Sequence, residues 1–70
     1  MEDNWIMVYS SEFVYVVELA RGILEQHDIK SIVLNKMDSM HTHLINAPIE
    51  LYVSTENEIQ ARHYLSKMKL

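Results

Sequence analysis

Residues 11–26 read SEFVYVVELARGILEQ, and on a 3.6-residue period Phe13, Val16, Val17, Ala20, Ile23 and Leu24 share one broad apolar stripe. Glu12, Glu18, Arg21 and Glu25 fall outside it, so the spacing predicts an amphipathic helix that needs an apolar surface to cover. Phe13 to Val17 alone has strand propensity, but the stripe continues to Leu24, which a period of two does not explain. Glu18 with Arg21 and Arg21 with Glu25 stand at helical pair spacing. Ser10 and Ser11 offer oxygens to the unpaired N–H groups of the first turn, and Glu12 suits the positive end of the dipole. Gly22, the only glycine, falls mid-helix away from the stripe, where it costs about 1 kcal/mol against alanine. We expect that cost to be tolerated rather than explained by a close approach.

The surface for that stripe is a sheet. Trp5 to Tyr9 reads as a first strand with Ile6 and Val8 on one face and Trp5, Met7 and Tyr9 on the other. Gln26, His27 and Asp28 end the helix, with Asp28 at the position that commonly turns left-handed. Lys30 to Asn35 follows as a second strand with Ile32 and Leu34 inward. Residues 36–47 have no period and are expected to form a long loop; Pro48 suits the start of a strand in which Ile49, Leu51 and Val53 are buried. Thr55 with Glu58 is a capping-box pattern, and the second helix, reaching about Lys67, turns Ala61, Tyr64, Leu65 and Met68 inward with Ile59 on the flank. The order is βαββα. A strand, helix and strand so tightly joined imply a right-handed crossover with the two strands parallel. A third strand between them and antiparallel to both gives sheet order 1-3-2, with two helices on one face of an α+β sandwich.

Seventy residues make one domain, whose core supplies only about 3 to 5 kcal/mol of net stability. Six basic against ten acidic side chains leave a formal charge of −4, which disfavours nucleic acid and anionic membrane surfaces. The absence of cysteine excludes disulfide frameworks, thiolate metal sites and thiol nucleophiles. The acidic start MEDNW has neither the basic nor the apolar region of a signal peptide, so a cytoplasmic location is the expectation.

Alternation places Trp5, Met7, Tyr9, Val33 and Tyr52 on the sheet face away from the helices, a surface too apolar for water and rich in interface residue types. Self-association, most simply as a homodimer, is the expected use. A base-stacking platform for RNA, with aromatics on the first and third strands, is the alternative, weakened by Glu2, Asp3 and Glu50 at its rim. In the loop, Lys36, Asp38, Ser39, His41 and His43 are the candidate contacts for a protein partner or small ligand, and an Asx-type turn in which Asp38 or Ser39 satisfies the local backbone is the equal alternative. They are too close in sequence for a catalytic triad, and the histidines there read as solvated rather than as metal ligands. The expectation is no enzyme, no cofactor and no metal.

The segments Glu18-Leu19-Ala20-Arg21-Gly22-Ile23-Leu24-Glu25, Asn35-Lys36-Met37-Asp38-Ser39 and Glu50-Leu51-Tyr52-Val53, with Ile29 leading into the second strand, resemble a family of small bacterial domains labelled prokaryotic signal transducing proteins. That resemblance implies a PII-like, ferredoxin-like fold and a regulatory role, in which the loop after the second strand would be the partner-contacting one. Asp28 stands where that family usually has a glycine, and Asn46-Ala47-Pro48 replaces a commoner glycine before the third strand.

Overall fold

A computed structural model describes residues 4–35 and 48–68. Strand β1 (Trp5–Ser11) is followed by helix α1 (Val14–Gln26), strands β2 (Ser31–Asn35) and β3 (Ile49–Ser54), a 3-10 turn (Thr55–Asn57) and helix α2 (Glu58–Leu65). β3 lies in the middle, antiparallel to both neighbours, so the sheet order is 1-3-2 and β1 and β2 run parallel without touching. Ile49, Leu51 and Val53 alternate inward from β3 and are buried against Val17, Ala20 and Leu24 of α1 and Ala61 and Leu65 of α2. Both helices therefore cover one face of the sheet, and each fully buried Leu, Ile or Val there contributes about 1.5 to 3 kcal/mol of transfer free energy.

The closure of α1 follows from its sequence. Asp28 is left-handed, with φ 61°, and it alone has a positive φ among the described residues. The Asp28 N–H donates to the Glu25 carbonyl and the Ile29 N–H to the Leu24 carbonyl, each at 3.0 Å. These are the paired bonds of a Schellman motif, and its apolar contact is present too, because Leu24 and Ile29 are both buried in the core.

The start of α1 differs from expectation. β1 continues through Ser11, which pairs with Ile49, so the chain must first turn off the sheet and the helix begins only at Val14. Phe13 remains extended and 56 % exposed, outside the stripe assigned to it. Ser11 Oγ accepts the Phe13 N–H at 3.1 Å, a turn bond rather than a helix cap. The capping box of α2 is likewise not formed: the chain takes a 3-10 turn over Thr55–Asn57, and Glu58 accepts from Arg62 one turn on, at 2.9 Å. Gly22 has open space where a Cβ would stand.

Two strand faces also differ. β1 pairs regularly up to Met7 with Tyr52, then shifts so that Tyr9 pairs with Leu51, leaving Val8 as the extra residue of a bulge. Tyr9 thus joins Val8 on the core side instead of lying beside Trp5 and Met7. In β2, Val33 lies opposite Leu51 and packs against the core, while Ile32 and Leu34 face outward, the reverse of the expected parity. The pairing with β3 decides it, because directly opposed residues share a face.

Candidate sheet-face interface

With the helices on one side, the other side of the sheet is left uncovered by them and takes no part in the core. Residues opposed across the three strands fall in rows. Met7, Tyr52 and Ile32 form the central row, with Trp5 beside Ser54 on one side and Ser10, Glu50 and Leu34 on the other. Met7, Ile32 and Leu34 are 40 %, 46 % and 43 % exposed, values that belong to a surface and not to a core. Trp5 and Tyr52 are half-buried.

One polar pair lies within this apolar field. The Tyr52 hydroxyl donates to Glu50 Oε1 at 2.9 Å along the same strand. The hydrogen bond, then burial, then the carboxylate charge push the Tyr52 phenol above its ordinary range, so it stays neutral and keeps donating. The two arginines of the helices have partners of their own. Arg21 Nη2 donates to Glu18 at 2.7 Å, which holds the guanidinium firmly protonated, and Arg62 Nε donates to Glu58 at 2.9 Å. Arg62 also reaches over the sheet edge, its Nη2 donating to the Met7 carbonyl at 3.3 Å.

Of the residues assigned to this face, Trp5, Met7 and Tyr52 are brought together on it, and Tyr9 and Val33 lie on the opposite side. Ile32 and Leu34 complete it instead. Ile32, Val33 and Leu34 are consecutive aliphatics, so the sequence held no signal for their parity, which the pairing of Val33 with the inward Leu51 decides. Lys36, Asp38, Ser39, His41 and His43 lie outside the described residues.

Elsewhere, His27 at the end of α1 stacks on Tyr64 of α2 with ring centroids 3.6 Å apart and planes 3° from parallel. His63 meets the same ring edge-on at 5.5 Å. Both histidines are exposed, and the stack ties the two helices together. A surface cavity of about 260 Å³ is lined by Arg21, Glu25, Asp28, Ile29, Lys30 and Ser31, where two cations and two anions balance. Among the described residues no three His, Cys, Asp or Glu side chains converge as a metal site, and no helix is long and apolar enough to cross a membrane. In comparisons with known proteins, no family model, curated protein or solved structure matches the chain.

Proposed function

We propose that this chain is a non-enzymatic regulatory or signal-transducing interaction domain of ferredoxin-like, PII-like type, which acts as a homodimer and binds a protein partner or small ligand. The observation that carries the proposal is the row Met7, Tyr52 and Ile32, flanked by Leu34 and Trp5, on a sheet face that the helices do not cover. Met, Trp and Tyr are enriched in interface cores, and exposed apolar patches on small domains mark contact sites. Residues 36–47, with Lys36, Asp38, Ser39, His41 and His43, are proposed as the contact for the partner or ligand, by resemblance to the loop that PII-like regulators use.

RNA binding is the second reading, favoured by Trp5 on β1 and Tyr52 on β3 sharing the open face. Glu50 among those side chains and a formal charge of −4 oppose it. Sedimentation of the intact protein at micromolar concentration tests the first reading, with more than a monomer expected and Tyr52→Glu shifting it to monomer. A monodisperse monomer whose Trp5 fluoresces as fully solvated would remove the self-association. Binding of random single-stranded RNA that weakens steeply with salt would install the second reading.

A further inference from the structure

The cavity of about 260 Å³ lies where α1 closes and β2 begins. Glu25 comes from the last turn of α1, Asp28 from its left-handed closure, and Lys30 and Ser31 from the entry to β2, with Arg21 one turn back along the helix. Ser31 opposes the buried Val53, so it stands on the helix side of the sheet, toward α1. The whole lining falls within the described residues.

The charges of this lining are unequally engaged. Arg21 is fixed by Glu18, which accepts from Nε at 3.0 Å and from Nη2 at 2.7 Å, so its Nη1, 3.9 Å from Glu25, keeps donors to spare. Asp28 and Lys30 carry opposite charges two residues apart, yet among the described residues neither side chain forms an ion pair or a hydrogen bond. Asp28 also holds φ 61°, a conformation that glycine enters at less cost. The backbone does not require this carboxylate, and no described side chain uses it.

The mixture of signs selects the ligand. A phosphate or a nucleotide would meet Glu25 and Asp28 in a chain of formal charge −4, and a divalent cation would meet Arg21 and Lys30. A zwitterion satisfies both halves and adds no net charge. We propose that this cavity binds a free α-amino acid with an uncharged side chain, its carboxylate taken by Lys30, Ser31 and Arg21 Nη1 and its ammonium by Asp28 and Glu25. The ammonium then also lies at the negative end of the α1 dipole, where a cation is favoured. A volume of about 260 Å³ falls just under the roughly 300 to 1,000 Å³ of drug-sized pockets, so the ligand is small. Because Glu25, Asp28 and Lys30 are exposed, their pairs are screened and binding is weak, with Kd about 1 mM. The site uses neither the open sheet face nor residues 36–47, so it stands apart from the self-association reading.

Titration of the full-length, nitrogen-15-labelled protein with L-alanine at neutral pH and low salt tests this through amide chemical shifts, which also report whether each variant is folded. Saturable shifts centred on residues 25–31 are expected. Acetate and methylamine, each carrying one charged half of the ligand, are expected to bind about tenfold or more weakly. Lys30→Met, which keeps the aliphatic stem, and Asp28→Asn, which still enters the left-handed region, are each expected to weaken alanine by about fivefold or more, and Glu56→Gln on the opposite helix to leave it unchanged. Shifts that rise linearly with concentration, or that spread away from the cavity, overturn the proposal. So does acetate equal to alanine, or a Kd indifferent to both Lys30→Met and Asp28→Asn.

Discussion

On β3, Ile49, Leu51 and Val53 look toward the helices and are almost fully buried, while Glu50, Tyr52 and Ser54 look out from the same strand and are only half-buried. The neighbouring strands repeat the division, with Val33 inward and Ile32 and Leu34 outward. On β1 and β2 the residue types of the two faces overlap, so hydrophobicity alone does not separate them there. The helices do. The two helices of the described residues cover one face of the three-stranded sheet, and the apolar side chains of the other stay partly wet. Stability is therefore concentrated in one layer, and the outer layer keeps its apolar side chains partly exposed.

The largest test of that division is a truncation on each side. Leu51→Ala is expected to cost about 3 kcal/mol, within the usual range for a buried leucine, and Ile32→Ala about 1 kcal/mol or less, because its side chain is nearly half exposed. Urea denaturation of both at one low protein concentration reads this directly. Equal losses would mean that the outer face is covered as well as the inner one.

The same contrast runs around α1, where Leu24 is buried and Gly22 points away from the core into open space. Gly22→Ala is expected to stabilise by about 1 kcal/mol, since it adds helix propensity without meeting a neighbour. A destabilised variant would show that a second surface approaches this side of the helix.

A smaller gain, about 0.5 kcal/mol, is expected for Asp28→Gly. Glycine enters the left-handed region freely, and the change removes a negative charge from the negative end of the α1 dipole. The wider unfolded ensemble of glycine offsets part of this. If the variant unfolds at lower urea with an unchanged slope, the Asp28 side chain contributes more to the closure than its backbone strain costs.

The smallest effect belongs to Tyr52 and is a slope rather than a loss. Its phenol is raised above the ordinary value of about 10, so the folded state holds the proton more tightly than the unfolded state. The contribution is complete below the unfolded value and is lost as pH rises through the folded one. Comparing thermal midpoints from pH 8 upward, the parent should lose stability above about pH 10 more steeply than Tyr52→Phe. Parallel curves would place the hydroxyl in water with no hold on Glu50.

Much of this protein was legible in its sequence because it depends on neighbours along the chain. The stripe from Val16 to Leu24 set the covering face of α1, the alternation Ile49, Leu51, Val53 set the buried face of β3, and the position of Asp28 announced the left-handed closure. The order 1-3-2 followed from which strand had to be central. Tertiary structure alone decided the rest. Ile32, Val33 and Leu34 are three consecutive aliphatics with no period to read, so their parity came from register against β3. Trp5 to Tyr9 is apolar on both faces, so nothing local signalled the bulge that carried Tyr9 to the core. Thr55 and Ser11 had capping chemistry, yet the path of the chain off the sheet, set by how far β1 and β3 pair, determined where each helix began. A strand with one polar face declares its orientation in sequence; a strand apolar on both faces takes it from the strand beside it.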